Sequence, residues 1–211
     1  MVRLYDMRMA PNPRRVRIFL AEKGIEVPRE EVDIPSGANL SPEFLAINPR
    51  GVLPTLVLDD GTVLDESIAI CRYFEELQPE PNLMGRDPLD KARIESWQRR
   101  MEFDGLLNIA AIFRNTAPAF AHRSAPGAVP ATDHIPALAE RGRVLARHWL
   151  DALERRLAEQ PFVAGDRFTV ADITAFVCVE FGKWVDLRPG DGHPAVRRWY
   201  QAIRARPSAQ A

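Results

Sequence analysis

Three short clusters in this 211-residue sequence carry residue types suited to holding and activating a small ligand. The first is Gly51-Val52-Leu53-Pro54-Thr55-Leu56. A proline inside an apolar run cannot donate to a sheet ladder, so Pro54 must open a strand or lie at its edge. Two readings stand open on the residues alone. Pro54 is a plain trans proline that starts a strand, or it follows a cis bond that leaves the N–H and C=O of Leu53 exposed to a ligand. The second cluster is Asp65-Glu66-Ser67-Ile68-Ala69, where a hairpin gives way to a helix. A helix start offers free N–H groups and partial positive charge to a carboxylate. Ser67 adds a hydroxyl donor and Glu66 a partner for an ammonium group, which together suit an amino-acid head bearing both charges. Ordinary helix capping explains the same two residues. The third is the turn Met9-Ala10-Pro11-Asn12-Pro13 ahead of the first helix. A thiol held at a helix N-terminus has its pKa lowered. No Cys, Ser or Tyr occupies residues 8 to 15, and Asn12 is the one uncharged polar side chain there. A solvated helix start accounts for this turn equally, and Arg14 to Arg17 read as a solvated face.

Other chemistry is thinly represented. His122, His134, His148 and His193 have no partner at helical spacing, and no phosphate-binding glycine loop or serine-nucleophile motif occurs. Cys71 and Cys178 form no CxxC, so neither a disulfide framework nor a zinc site is expected, and a reducing compartment fits. The formal net charge is −1, without a global pull toward nucleic acid or anionic membrane. The start of the chain lacks the apolar stretch of a secretion signal, and no run approaches the roughly 20 apolar residues of a membrane span. A cytoplasmic protein with no metal, nucleic-acid or membrane partner is the expectation.

The elements that must position these clusters change character along the chain. Val2–Tyr5 alternates as a strand, and a helix follows from Pro11 with Val16, Phe19, Leu20 and Lys23 on one stripe and Gly24 as its stop. Val27–Ile34 reads as a second strand, and Ser41-Pro42 opens a short helix. Thr55–Leu58 and Thr62–Leu64 flank Asp59-Asp60-Gly61 as a hairpin, and a helix runs from Ser67 to Leu77. The order β-α-β-α-β-β-α implies a small mixed sheet with helices packed on it. Gln78-Pro79-Glu80-Pro81-Asn82 breaks the chain, and strand signals then stop. Phe103, Leu106, Leu107, Ala110 and Phe113 keep helical spacing, as do Leu145, Trp149, Leu153 and Leu157. Residues 116–136, with four prolines, read as a loop between them. Thr169-Val170-Ala171-Asp172 has the form of a capping box with Asp in place of Glu, and Pro194 opens a last amphipathic helix.

Taken in order, these features resemble the glutathione S-transferase family. The likeness runs through Pro11–Gly24, Ser41–Pro49, Gly51–Leu56, Glu66–Ile70 and Phe162–Ile173, and so over nearly the whole chain. Its flavour is similar to the bacterial eta-like branch, itself similar to a fungal branch. The resemblance implies an α/β thioredoxin-like N-terminal domain over residues 1–79 and an all-α C-terminal helical bundle over 86–211. It implies glutathione as co-substrate, with Leu53 pairing its backbone with the cysteinyl part beside a cis Pro54, Glu66 and Ser67 on the γ-glutamyl end, and Asn39 toward the glycyl end. Val52, where relatives often carry Lys, Gln or Thr, weakens the carboxylate side. A homodimer joined through the helix after Ser67 and the first helix of the second domain is implied.

The implied reaction is attack by the glutathione thiolate on a small, often apolar, electrophile. A free thiol titrates near pKa ~8.5, so stabilising the thiolate raises its share at neutral pH. With no Tyr, Ser or Cys at the usual place, and Cys71 too late in the chain, activation falls to Asn12, to the helix field or a bound water, or to Arg114 and Asn115 of the second domain. Met9, Phe113 and Trp184 are the candidates for an apolar substrate wall. Two alternatives share the same binding site: a glutathione-binding carrier with low turnover, and a glutathione-dependent peroxidase. A thiol-transfer enzyme would need a cysteine that the first helix lacks.

Overall fold

The computed structural model describes residues 1–211. Its sheet has the order β2-β1-β3-β4, built from β1 (Arg3–Asp6), β2 (Arg29–Glu31), β3 (Thr55–Val57) and β4 (Val63–Leu64). β2 lies parallel to β1, whereas β3 runs antiparallel to both β1 and β4. Side chains alternate across a strand. Leu4 and Leu56, opposite each other, therefore enter one core with Val16, Phe19 and Leu20 of α1 (Pro11–Lys23) and Ile70 and Phe74 of α3 (Ser67–Leu77). Tyr5 faces the other way, with Val32, Leu53 and Phe44 of α2 (Pro42–Ile47). Ser41 caps α2 by accepting the Phe44 N–H. β2 is shorter than the Val27–Ile34 run suggests, because as an edge strand it has one partner, β1, and three exposed charged residues in the ladder.

The second domain is all helix: α4 (Pro88–Arg100), α5 (Leu107–Arg114), α6 (Pro136–Glu159), α7 (Val170–Gly182) and α8 (Pro194–Arg204). α7 is its axle, buried nearly all round and packed on α1 and α4. A π-helical stretch, Met101–Leu106, joins α4 to α5. It corrects the stripe expected there. The wider turn rotates the face, so Met101, Leu106, Ile109 and Ile112 are buried while Phe103 and Leu107 are exposed. On α6, Trp149, Leu153 and Leu157 are buried as expected, but Leu145 lies outside the core.

The segment between α3 and α4 is clipped from inside. Lys23, wholly buried, pairs with Glu75 at 2.5 Å and donates to the Gln78 carbonyl. The other Glu75 oxygen accepts the N–H groups of Leu83 and Met84. No helix is long and apolar enough to cross a membrane.

Candidate functional site

The peptide bond between Leu53 and Pro54 is cis, the option that the residues alone left open. Leu53 stands just outside β3, and neither its N–H nor its C=O has a partner within the chain. The turn before it is braced from three sides. Asn39, buried, donates to the Gly51 carbonyl at 2.7 Å, and its own amide oxygen has no partner. Asn48 and Thr55 both donate to the Val52 carbonyl. The loop from the second domain lies against the same turn, with Ala128 N–H on the Arg50 carbonyl at 2.8 Å. Gly127 makes that approach possible: its φ is +80°, and a Cβ there would lie 2.4 Å from the Arg50 oxygen. Gly127→Ala is therefore expected to lower stability by about 1–3 kcal/mol and to weaken any ligand held by Leu53. Thermal unfolding and ligand titration on the same preparation check both.

Ser67 opens α3 and is buried; Glu66 precedes it with an exposed side chain. Arg50 spans Asp65 at 3.0 Å and Glu66 at 2.9 Å across the rim. The first turn of α3 contains no proline, so its leading N–H groups are available to an anion. α1 differs. Pro11 and Pro13 have no N–H, which leaves the N–H of Asn12 as the free backbone donor in that first turn.

Arg15 and Arg17 correct the expectation of a solvated arginine face, since both are buried. Arg15 donates to Glu102 and to the Asn12 amide oxygen, each at 2.8 Å, and to the Ser67 hydroxyl at 3.3 Å. It thereby joins the starts of α1 and α3 to the π-helical stretch of the second domain. Arg17 pairs with buried Asp6 at 2.6 Å and donates to the Arg8 carbonyl at 2.6 Å, pinning the turn that leads into α1. Burial raises the Asp6 carboxyl above its ordinary pKa, with Arg17 opposing, and burial lowers Arg17. Sequence reasoning missed both arginines. The three-residue spacing of Asn12 and Arg15 on one helix face was the available signal.

The remaining candidates divide. Met9 and Trp184, both partly exposed, line one cavity of about 230 Å³ with Phe181, Val177, Arg14 and Glu180. Phe113 stands beside it, its ring 5.4 Å from those of Trp184 and Phe181. Arg114 and Asn115 are engaged elsewhere. Arg114 stacks on Phe120 and donates to the carbonyls of Arg123 and Ala125, and burial with Arg123 alongside brings its pKa down to about 10. Asn115 spends its amide on the Ala111 carbonyl and the Ile135 N–H. Both fasten the 116–135 loop, and none of their hydrogen bonds reaches Asn12 or Ser67. Cys71 and Cys178 are free, buried thiols whose pKa burial pushes up to about 12, so neither acts as a nucleophile at neutral pH.

A cis proline beside an open backbone edge, set at the helix starts of a thioredoxin-like domain and roofed by a helical domain, defines a two-domain protein with its cleft between the two. Residues 10–77 match the glutathione S-transferase N-terminal domain family, and residues 121–207 match the C-terminal domain family. The chain is 35% identical to glutathione S-transferase 2 of Saccharomyces cerevisiae, over 98% of this chain and 87% of that one. It is 33% identical to glutathione S-transferase 3 of Zea mays, over 99% and 91%. The crystal structure of Gtt2 from Saccharomyces cerevisiae superposes with a TM-score of 0.89 at 34% identity, covering 99% of this chain and 98% of that one. The chain belongs to the glutathione S-transferase family.

Proposed function

We propose that this protein is a glutathione transferase that joins the glutathione thiolate to small electrophiles. The observation that carries this reading is the unpaired backbone edge of Leu53 beside cis Pro54, set together with the Asn12–Arg15–Ser67 cluster. Leu53 meets the cysteinyl amide, and the α3 start with Ser67 and Glu66 meets the two charges of the γ-glutamyl head. Asn39 holds the Gly51–Val52 turn toward the glycyl end. The thiol proton leaves to solvent, and the sulfur lone pair forms the new bond to carbon. In a substitution the leaving group departs with its electron pair; in an addition the neighbouring atom takes a proton. The thiolate rests on the N–H and side-chain NH₂ of Asn12, and the electrophile on Met9 and Trp184, with Phe113 behind.

In this reading residues 1–79 hold glutathione and residues 86–211 complete the electrophile side. Likeness to a fungal transferase supports the eta-like branch, and two free thiols fit a cytoplasmic role in detoxification. The homodimer is supported by a groove of about 660 Å³ between α3 and α4. Apolar side chains left exposed at Phe103, Leu107, Val144 and Leu145 add to that support. Sedimentation should report twice the chain mass.

The deciding experiment is calorimetric titration with glutathione, followed by conjugation assays across aryl halides, epoxides, enones and peroxides. Ser67→Ala is expected to weaken glutathione binding about tenfold, the value of one hydrogen bond to a charged group, and to lower the conjugation rate. Binding without turnover on any of these would make the protein a carrier. Turnover confined to peroxides would make it a peroxidase. No binding would end the reading.

A further inference from the structure

We propose that the electrophile cavity is built for a substrate that carries a carboxylate, with Arg14 and Arg8 as its anchors; this rests on the glutathione reading above. The cavity beside Met9 and Pro11 is also lined by Arg8, Arg14, Arg17 and Glu180. Two of these four charges are spent. Arg17 is paired with Asp6. Glu180 is bound by Lys183 and by the Tyr200 hydroxyl. The other two are not. The exposed side chain of Arg8 makes neither an ion pair nor a hydrogen bond. Glu31, which lies outside the lining, meets only the Arg8 backbone N–H, at 2.9 Å. Arg14 reaches Glu180 at 3.5 Å, without a hydrogen bond. Among the lining side chains, two positive charges are therefore left over.

Arg14 is held in the manner of an anion receptor. An α-helix turns about 100° per residue, so Arg14 points roughly opposite to Asn12 and faces α7 rather than the ligand at Ser67. Its guanidinium lies 5.4 Å from the ring of Phe176, a core residue of α7, and its Nη2 donates to the Ala209 carbonyl at 3.1 Å. The donors of Nη1 stay free. The head is thus fixed before a ligand arrives, so less ordering entropy opposes binding. A planar guanidinium with free N–H groups matches a carboxylate. Met9 and Trp184 supply apolar surface to the same cavity. At about 230 Å³ it is smaller than the ~300–1,000 Å³ that takes drug-sized ligands. A single ring, with an acid group at one end and its reactive carbon toward Asn12, fits that size and that charge. For such an aryl halide the glutathione sulfur forms the bond to the ring carbon, the halide leaves with its electron pair, and the thiol proton goes to solvent.

The test compares 4-chloro-3-nitrobenzoate with 4-chloro-3-nitrobenzamide, which differ in charge but scarcely in shape. Each kcat/KM is divided by the uncatalysed rate with glutathione, which removes the difference in ring activation. Wild type is expected to favour the benzoate about tenfold, the value of one hydrogen bond to a charged group. Arg14→Met should erase most of that preference. Arg14→Lys, which keeps the charge without the fork, should retain part of it; it also serves if the methionine variant does not fold. Arg8→Met, at an exposed site, should reduce the preference about threefold, an effect that fades at high salt. Unreactive 3-nitrobenzoate and 3-nitrobenzamide, titrated calorimetrically into the S-methylglutathione complex, should show the same order of affinities. No preference for the benzoate in wild type, in rate or in binding, would overturn the inference, as would equal losses on both compounds in Arg14→Met. Either result leaves the glutathione reading standing if wild type conjugates other electrophiles. If wild type binds glutathione yet conjugates nothing, the transferase reading falls, and the titration alone decides whether the cavity selects an anion.

Discussion

Arg17→Leu should destabilise the protein by about 3–5 kcal/mol, because it leaves the carboxylate of Asp6 buried without its ion-pair partner. Asp6 sits in β1, 3% exposed, and its one ion pair is with Arg17. The loss depends on pH, and its sign follows from the carboxyl. Burial already raises Asp6 above its ordinary pKa, while Arg17 holds it back. Removing Arg17 lets the folded-state pKa rise further above the unfolded value. A group raised in this way contributes stability below its unfolded pKa and loses it as pH climbs through the folded one. Urea unfolding should therefore show a larger deficit for Arg17→Leu at pH 8 than at pH 5. The double variant Asp6→Leu/Arg17→Leu removes both charges and should regain most of the stability. It should not regain conjugation. Arg17 also donates to the carbonyls of Met7 and Arg8, and so holds the turn that aims Asn12. A shift of about 1 Å at a reacting group costs on the order of 100-fold in rate. A double variant that was both stable and fully active would show that the turn holds itself.

The features read correctly from the sequence are those whose cause is local. Asp59-Asp60-Gly61 forces a hairpin, Ser41 caps the helix that it opens, and the stripe of α1 ends at Gly24, because each signal lies within four residues of its effect. The cis bond at Leu53-Pro54 and the helix start at Glu66-Ser67, which carry the proposed glutathione contacts, each combine backbone geometry and side-chain chemistry in adjacent residues. α4 carried its own start signal, Asp87 followed by Pro88, which went unused; the Asp87 carboxylate accepts from the N–H groups of Leu89 and Asp90.

What stayed hidden depends on distance. Arg15 owes its burial to Glu102 and Ser67, 87 and 52 residues away, and nothing in the run Arg14–Arg17 tells a paired guanidinium from a solvated one. Periodicity itself misled at Phe103 and Leu107, since a 3.6-residue period cannot anticipate a π turn that rotates the face partway along. The same limit explains Arg114 and Asn115. Their position at a helix end suggested chemistry, but loop residues 123–135, folding back on them, accept from Arg114 and donate to the Asn115 amide oxygen, while the Asn115 NH₂ turns to the Ala111 carbonyl. Asn12 is the one uncharged polar side chain that the first turn of α1 supplies, and the proposed activation of sulfur falls to it.

Asp172→Ala is expected to cost about 3–5 kcal/mol, among the largest effects of any single change in the helical domain. Its carboxylate is wholly buried and accepts four donors: the N–H of Val163, the indole N–H of Trp199, and the N–H and hydroxyl of Thr169. Alanine strands all four, at the N-terminus of the helix on which α1 rests. For a domain of this size the melting point should fall by about 10–15 °C. Asp172→Asn keeps the volume and one oxygen, but sets an NH₂ against one pair of donors, so an intermediate loss is expected. Burial pushes the Asp172 carboxyl up to about 6 in spite of these donors. The folded state then binds its proton more tightly than the unfolded state, whose value is about 3.9. Wild-type stability from this group should accordingly decline as pH rises from about 4 to about 6, and level off above that. The asparagine variant has no such group and should lack that slope. Equal slopes in the two proteins, measured by urea unfolding across that range, would place the proton elsewhere. A melting point for Asp172→Ala within about 3 °C of wild type would show that water reaches the stranded donors. The predicted drop would instead make this carboxylate the anchor that keeps α7, and through it the start of α1, in place beneath the proposed glutathione site.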